Sequence, residues 1–232
     1  HIRRAELRAA EGPAALAALP VTPTRHLGVA GAELGLAGVV LTALARGRKI
    51  TIADPDKPRL VQFLEAVAAR QEVAVQEGRL TTDQRDSDLA RLVATLDLGA
   101  LDGCDLIIAT DPDADRMGVA VRQGESWVLL NGNQMGVLLA DYLLSRLEPP
   151  KLQGGVVVKT IVTTEMILPL ARRWGVEVLN TLTGFKYIGA LMDRLPPAGK
   201  QFIFGFEESY GYLAGTYARD KDAVVASLLA AQ

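Results

Sequence analysis

The stretch Asp105-Leu106-Ile107-Ile108-Ala109-Thr110-Asp111-Pro112-Asp113-Ala114-Asp115-Arg116 sets an apolar run directly before three carboxylates at alternate positions. A short apolar run ahead of a polar turn reads as a buried strand that reaches the edge of a sheet. The turn then presents Asp111, Asp113 and Asp115 to one point. Gathered negative charge costs free energy unless a cation or protons neutralise it. An all-oxygen donor set suits Mg²⁺ or Mn²⁺, whereas zinc favours His and Cys. Arg116 stands directly behind, and its fork of N–H donors suits a phosphoryl group beside such an ion. The loop predicts a metal-dependent enzyme acting on phosphate.

Other readings of the loop compete on the same residues. A calcium loop of the EF-hand type also spaces aspartates at positions one, three and five. It requires Gly at the sixth position and Glu at the twelfth, where this chain has Arg116 and Arg122. A haloacid-dehalogenase-like phosphatase also sets an Asp-x-Asp pair behind a strand, with the first Asp as nucleophile, but wants Thr or Val where Asp115 stands. A solvated acidic turn, with Asp113 and Asp115 merely capping, is the third alternative.

Outward from the loop, strands and helices alternate. Gly118 to Val121 reads as a strand, with Gln123-Gly124-Glu125 as a turn. Asn131 and Gln134 have the spacing of a capping box, and Met135, Leu138, Leu139, Tyr142 and Leu143 follow at helical spacing. After Pro149-Pro150, strands are expected at Val156–Val158, Val176–Leu179 and Phe202–Phe204. Helices are expected from a Thr163 or Thr164 cap to near Gly175, from Phe185 to Leu195, and from about Lys221 onward. Such alternation predicts an α/β fold: two tandem α/β/α domains with mixed, largely parallel sheets. Ligands gather at the carboxyl ends of the strands in such sheets, where Thr160, Thr183-Gly184 and the loop after Phe204 fall. In the first hundred residues, strands are expected at Lys49–Ala53 and Glu72–Val75. Helices are expected near Ala14–Ala18, Pro58–Arg70 and Asp86–Leu96. The domains are expected to be residues 1–126 and 127–232.

Bulk properties exclude several classes. The 232 residues are 49% hydrophobic and 22% charged, enough for substantial cores and unlike a disordered chain. A net charge of −2, with no long basic run, removes the footprint of a nucleic-acid binder. The longest charge-free apolar stretch, Leu34 to Ala45, is too short for a bilayer and right for a core element, so no membrane partner is expected. A single cysteine, Cys104, predicts a buried thiol and a reducing, cytoplasmic setting. The sequence opens on His1, which suggests a portion of a longer protein.

Three further constellations bear on chemistry. Gly205-Phe206-Glu207-Glu208-Ser209-Tyr210-Gly211 brackets carboxylates and a hydroxyl with glycines, a set suited to sugar hydroxyls. Arg219-Asp220-Lys221-Asp222 begins the last helix. Cations there oppose the helix dipole, so Arg219 and Lys221 are expected to face an anion. In Thr181-Leu182-Thr183-Gly184-Phe185-Lys186-Tyr187, a glycine turn is expected to expose an aromatic ring and a lysine.

DPDADR, TLTGFKYIG, GFEESYGY and RDKD, in this order and spacing, resemble the α-D-phosphohexomutase superfamily, with bacterial phosphoglucomutases and phosphomannomutases the nearest likeness. The resemblance runs from about Asp102 to the C-terminus and implies the second and third of four domains around a cleft. It implies one Mg²⁺ on Asp111, Asp113 and Asp115, with Arg116 on a seryl phosphate. Glu207 and Ser209 would hold sugar hydroxyls, Gly184, Phe185 and Lys186 would form the opposite wall, Arg219 would bind substrate, and Lys221 would serve phosphate contact or proton transfer. It also implies a hexose phosphate substrate, a phosphoserine, a bisphosphate intermediate and a glucose 1,6-bisphosphate-type activator. The family's Thr-Ala-Ser-His-Asn-Pro-like serine motif and its Arg-x-Ser-Gly-Thr phosphate loop occur nowhere in the sequence. The phosphoserine and phosphate-binding domains are therefore expected as missing partners, and this portion alone is expected to be inactive. A phosphopentomutase of the same superfamily, or a non-catalytic sugar-phosphate-binding module, are the alternatives. Residues 1–100 carry no family motif, and His26 reads as a turn residue.

Overall fold

The computed structural model describes residues 23–232, which divide into two units. The expected helix near Ala14–Ala18 lies outside the described residues. One unit comprises residues 24–130 and 223–232, the other residues 131–222 of the described chain. The expected boundary at 126/127 falls inside a hairpin: β5 (Met117–Gln123) and β6 (Ser126–Leu130) pair through the two-residue turn Gly124-Glu125. Gly124 has φ 64°, the left-handed conformation that tight hairpin turns require and glycine adopts without steric cost.

The first unit has a six-stranded sheet in the order β3-β2-β1-β4-β5-β6. Its parallel part consists of β1 (His26–Ala30), β2 (Lys49–Ala53), β3 (Leu92–Thr95) and β4 (Leu106–Thr110), and β5 and β6 are antiparallel additions. The apolar stretch after Leu34 forms α1 (Ala37–Ala45), whose Val39, Val40, Ala43 and Leu44 are buried. The next helix corrects the expectation of a strand at Glu72–Val75. α2 runs through it, from Lys57 to Gln76, because Leu60, Phe63, Val67 and Gln71 continue one buried helical face. Asp56 caps its start by accepting the Arg59 N–H. The helix expected at Asp86–Leu96 is also displaced. A Thr81–Gln84 capping box starts α3 at Thr82, it ends at Leu89, and Leu92–Thr95 pairs with β2 instead. His26 is a strand residue, not a turn: its ring nitrogens meet Thr51 Oγ1 at 2.8 Å and the Gly103 carbonyl at 3.0 Å. Cys104 is buried as expected, and burial pushes its thiol pKa up.

The second unit has a four-stranded sheet, β10-β9-β7-β8. β7 (Gly155–Thr160), buried along its whole length, pairs in parallel with β8 (Glu177–Thr181) and β9 (Gln201–Phe206). β10 (Tyr212–Ala214) returns antiparallel to β9. The Asn131–Gln134 capping box is present and opens α4 (Gly132–Arg146). Its buried face is Met135, Gly136, Leu139, Ala140 and Leu144, while Leu138 is exposed. α5 (Pro149–Leu152) is a single turn before β7. α6 (Ile167–Arg173) begins later than a Thr163 cap would place it, because that hydroxyl bonds Thr160 and Glu208. α7 (Phe185–Met192) follows β8, and α8 (Ala223–Ala230) closes the described chain within the first unit. Both sheets are mixed and mostly parallel, as the alternation predicts. Among the described residues, no helix is long and apolar enough to cross a membrane.

Packing and charge each yield a testable outcome. A Cβ on Gly132 would lie 2.0 Å from the Glu208 carbonyl oxygen, a backbone atom that cannot rotate aside. At an open helical site Gly→Ala gains up to about 1 kcal/mol; here Gly132→Ala should instead destabilise by about 1–3 kcal/mol, read as a lower denaturant midpoint. In the first unit, hydrogen bonds from Arg59 pull the Asp54 carboxyl from 3.8 down to about 2. A depressed carboxylate stabilises the fold above its unfolded pKa, so its contribution is complete above about pH 5 and is lost as pH falls toward about 2. Wild type and Asp54→Asn should differ in stability at neutral pH and converge across that acid window.

Candidate active site

Each unit gathers polar loop residues at the carboxyl edge of its sheet, where strand geometry aims loops outward. In the first unit, β4 and β5 are joined by residues 111–116. Asp111 Oδ1 accepts the N–H groups of Asp115 and Arg116, both at 3.1 Å, and the Asp111 carbonyl accepts from Ala114 N at 2.9 Å. Ala114 takes φ 54°, which closes the turn. Burial acts to raise the Asp111 carboxyl, but those N–H donors and the Arg116 charge outweigh it, holding it below the usual range. Arg116 Nε lies 3.8 Å from Asp115 Oδ1, and Asp113 is exposed. The donor set suits Mg²⁺. Its arrangement corrects the expected convergence: among the described residues, no group of three or more His, Cys, Asp or Glu side chains is gathered to hold a metal. Asp111 is oriented by main-chain donors with the Asp115 side chain within hydrogen-bond reach, while Asp113 is exposed.

In the second unit the GFEESYG loop turns β9 into β10. Glu207 N donates to the Gly211 carbonyl at 2.9 Å, and Tyr210 takes φ 69°. Glu207 is 5% exposed, and its Oε1 accepts the Gly184 N–H at 2.9 Å. Burial pushes the Glu207 carboxyl above its ordinary value, against the opposing pull of that N–H and of Lys221. Glu208 Oε2 accepts from Thr160 Oγ1 at 3.2 Å and Thr163 Oγ1 at 3.0 Å, so the end of β7 braces the loop. Gly184 has φ 116°, a conformation that a side chain would strain. Lys221 passes so close to Gly211 that a Cβ there would lie 2.3 Å from its Cδ, and its Nζ sits 6.0 Å from the Phe185 ring centre. Gly184, Glu207 and Lys221 are thus brought together, with Ser209 on the same loop.

One expected role is corrected. Phe185 is not an exposed wall residue: it is 4% exposed and packs with Ile188, Met192, Phe202 and Leu213, because it falls on the buried face of α7. Arg219 donates to Asp193 at 2.9 Å and to the carbonyls of Thr216 and Ala218, and its side chain is 53% exposed. Lys186 is exposed, with its Nζ 5.0 Å from the Tyr187 ring centre. Sequence reading missed Lys159, fully buried at the end of β7, whose Nζ donates to the Thr160 and Thr163 carbonyls and to Glu165 Oε1. A lone lysine closing the run Val156-Val157-Val158 was the available signal.

It also missed a second edge in the first unit. β1 ends in Gly31-Ala32-Glu33-Leu34-Gly35, and Asp54 follows β2. Gly31 has φ 94°, with nothing within 4 Å of an added Cβ. The strand order β3-β2-β1-β4, a glycine turn after β1 and an acid about 20 residues on form the pattern that cradles a dinucleotide. The turn holds two glycines where the usual fingerprint has three.

Known proteins divide along the same line. Residues 131–232 match the family model for phosphoglucomutase/phosphomannomutase, alpha/beta/alpha domain III. Residues 26–113 match the model for the 3-hydroxyacyl-CoA dehydrogenase NAD binding domain. A phosphoglucomutase of Staphylococcus epidermidis is 43% identical over 131 residues, 56% of this chain and 23% of that protein. One from Staphylococcus aureus is 43% identical over 121 residues, 52% of this chain and 21% of the relative. The chain therefore spans less than a quarter of the length of these relatives. A 131-residue match in a chain of 232 includes its middle wherever it begins, so the aspartate loop lies within it. In fold, the chain is similar to a putative phosphomannomutase from Thermus thermophilus, with TM-score 0.54 and 21% identity, over 85% of this chain and 46% of that one. The domain III match covers residues 131–232 and the 43% identity runs through the aspartate loop, so this part of the chain belongs to the phosphoglucomutase/phosphomannomutase family of the α-D-phosphohexomutase superfamily.

Proposed function

We propose that residues 131–222 are the sugar-binding unit of a phosphoglucomutase or phosphomannomutase, and that the whole protein moves a phosphoryl group between the 1 and 6 positions of a hexose phosphate. The phosphoryl group passes from a phosphoserine on another domain to the free sugar hydroxyl, giving a bisphosphate and a free serine. The bisphosphate turns over and returns its other phosphoryl group to the serine. The observation that carries this reading is Glu207, a buried carboxylate with one oxygen committed to Gly184 and its other oxygen beside Gly211, where the missing side chain lets Lys221 pass close to the carboxylate. Glu207 accepts from sugar hydroxyls, Ser209 accepts from or donates to them, and Lys221 supplies the cation nearby. Arg116 is assigned to the seryl phosphate. Mg²⁺ is the ion that Asp111, Asp113 and Asp115 would hold, and it would neutralise charge on the transferring group. A glucose 1,6-bisphosphate-type activator and a cytoplasmic setting belong to the same proposal.

A second reading is favoured at the other end of the chain. The glycine turn after β1 and Asp54 after β2, with the match over residues 26–113, support a nicotinamide dinucleotide site in the first unit.

Calorimetry with glucose 1-phosphate tests the sugar reading. Glu207→Gln should weaken binding about 10- to 100-fold, the loss expected for charge-assisted hydrogen bonds. Because burial raises the Glu207 pKa, wild-type binding should begin to fall on acidification at a pH above the ordinary glutamate range. Equal binding by wild type and variant would contradict the assignment. The aspartate loop is tested by Mg²⁺ titration: Asp113→Ala should cost about 10-fold or more in affinity, and a wild-type chain with no saturable Mg²⁺ heat would remove the metal role.

A further inference from the structure

Asp54 is full. Its carboxylate is completely buried and offers about four acceptor positions. Oδ2 accepts from Ala32 N at 2.7 Å and Arg59 Nε at 2.6 Å, and Oδ1 accepts from Asp56 N and Arg59 Nη2, both at 2.8 Å. In a dinucleotide-binding sheet this carboxylate receives the hydroxyls of the adenosine ribose. A ribose can bind here only by displacing one of the four donors. Ala32 and Asp56 donate from the main chain of turns, so their N–H groups move only with the backbone. Arg59 donates from a side chain on the first turn of α2 that is 42% exposed, so it is the one donor of the four that can rotate into water without moving the backbone.

We propose that Arg59 is a latch that competes with the adenosine ribose of a nicotinamide dinucleotide for Asp54, and that the site takes the form with a free 2′-hydroxyl. This rests on the dinucleotide reading of the first unit. Glu33 Oε1 lies 3.6 Å from Arg59 Nη1, so two carboxylates face one guanidinium. The local charge is negative, and it becomes more so when Arg59 swings out. A ribose hydroxyl donates to such a site, whereas a 2′-phosphate is repelled by it.

The consequence is opposite to that of an ordinary contact residue: removing the arginine improves binding. NADH and NADPH are titrated into the full chain, with nucleotide fluorescence as the readout. Arg59→Ala should bind NADH roughly fivefold tighter than wild type, the factor expected for removing a competing, partly exposed ion pair. Arg59→Lys keeps the charge but loses the two-pronged geometry, so it should fall between them and serves if the alanine variant does not fold. Thermal melts of each variant report folding independently. Weaker NADH binding by both variants would overturn the latch while leaving the dinucleotide reading intact. Preference for NADPH over NADH would overturn the free-hydroxyl assignment. If wild type and both folded variants bind neither nucleotide, the dinucleotide reading fails and the latch with it.

Discussion

A carboxylate that ends a strand inside a protein must find donors within reach, because water no longer supplies them. Among the described residues, Asp54 and Glu207 are buried and Asp111 is half-buried, each one residue beyond a strand. Asp54 follows β2 and draws in the N–H of Ala32, Glu207 follows β9 and draws in the N–H of Gly184, and Asp111 follows β4 and draws in those of Asp115 and Arg116. In every case the acid fixes a turn at the carboxyl edge of its sheet. The same constraint explains the glycines. The backbone comes to the carboxylate at Gly184, and Gly211 leaves room for Lys221 beside Glu207.

The three acids differ in how their oxygens are used. Asp111 has one oxygen occupied by main-chain donors, and the proposed metal role falls to the other. Glu207 is braced on one side by Gly184, while its neighbour Glu208 is held by Thr160 and Thr163, so the loop is oriented by the chain's own hydrogen bonds. Asp54 has all four acceptor positions filled, and Arg59 is the donor that moves most readily. Pre-formed, partly used and fully latched sites are thus variants of one local solution to burying charge.

Much of the second unit was legible in the sequence. The uninterrupted Val156–Val158 run, the Asn131–Gln134 spacing and the Gly205–Gly211 loop each announce themselves through local chemistry. The first unit was harder. Glu72–Val75 is too short to reveal whether it continues a helix, and that is decided by the buried face beginning at Leu60, three turns upstream. Phe185 sits on a turn whose direction depends on core packing around Ile188 and Phe202, so sequence alone placed it on the wrong side. The aspartates were found from their spacing, but side-chain orientation decides whether they converge. Asp54 was overlooked because an acid after a strand gains meaning only when the β1 turn and the strand order stand beside it.

Residues 131–232 match phosphoglucomutase/phosphomannomutase domain III and residues 26–113 match a dehydrogenase NAD binding domain, with the aspartate loop at the end of β4 inside the stretch similar to staphylococcal phosphoglucomutase. The central claim is that Glu207 organises a sugar-phosphate site in residues 131–222. Residue-resolved hydrogen exchange on the full chain, with and without glucose 1-phosphate, tests it most directly. The account predicts that added sugar phosphate slows exchange at Gly184 and across residues 205–211, while the strands of the first sheet are unchanged. Unaltered exchange at Gly184 under saturating sugar phosphate, or slowing confined to the first unit, would contradict it.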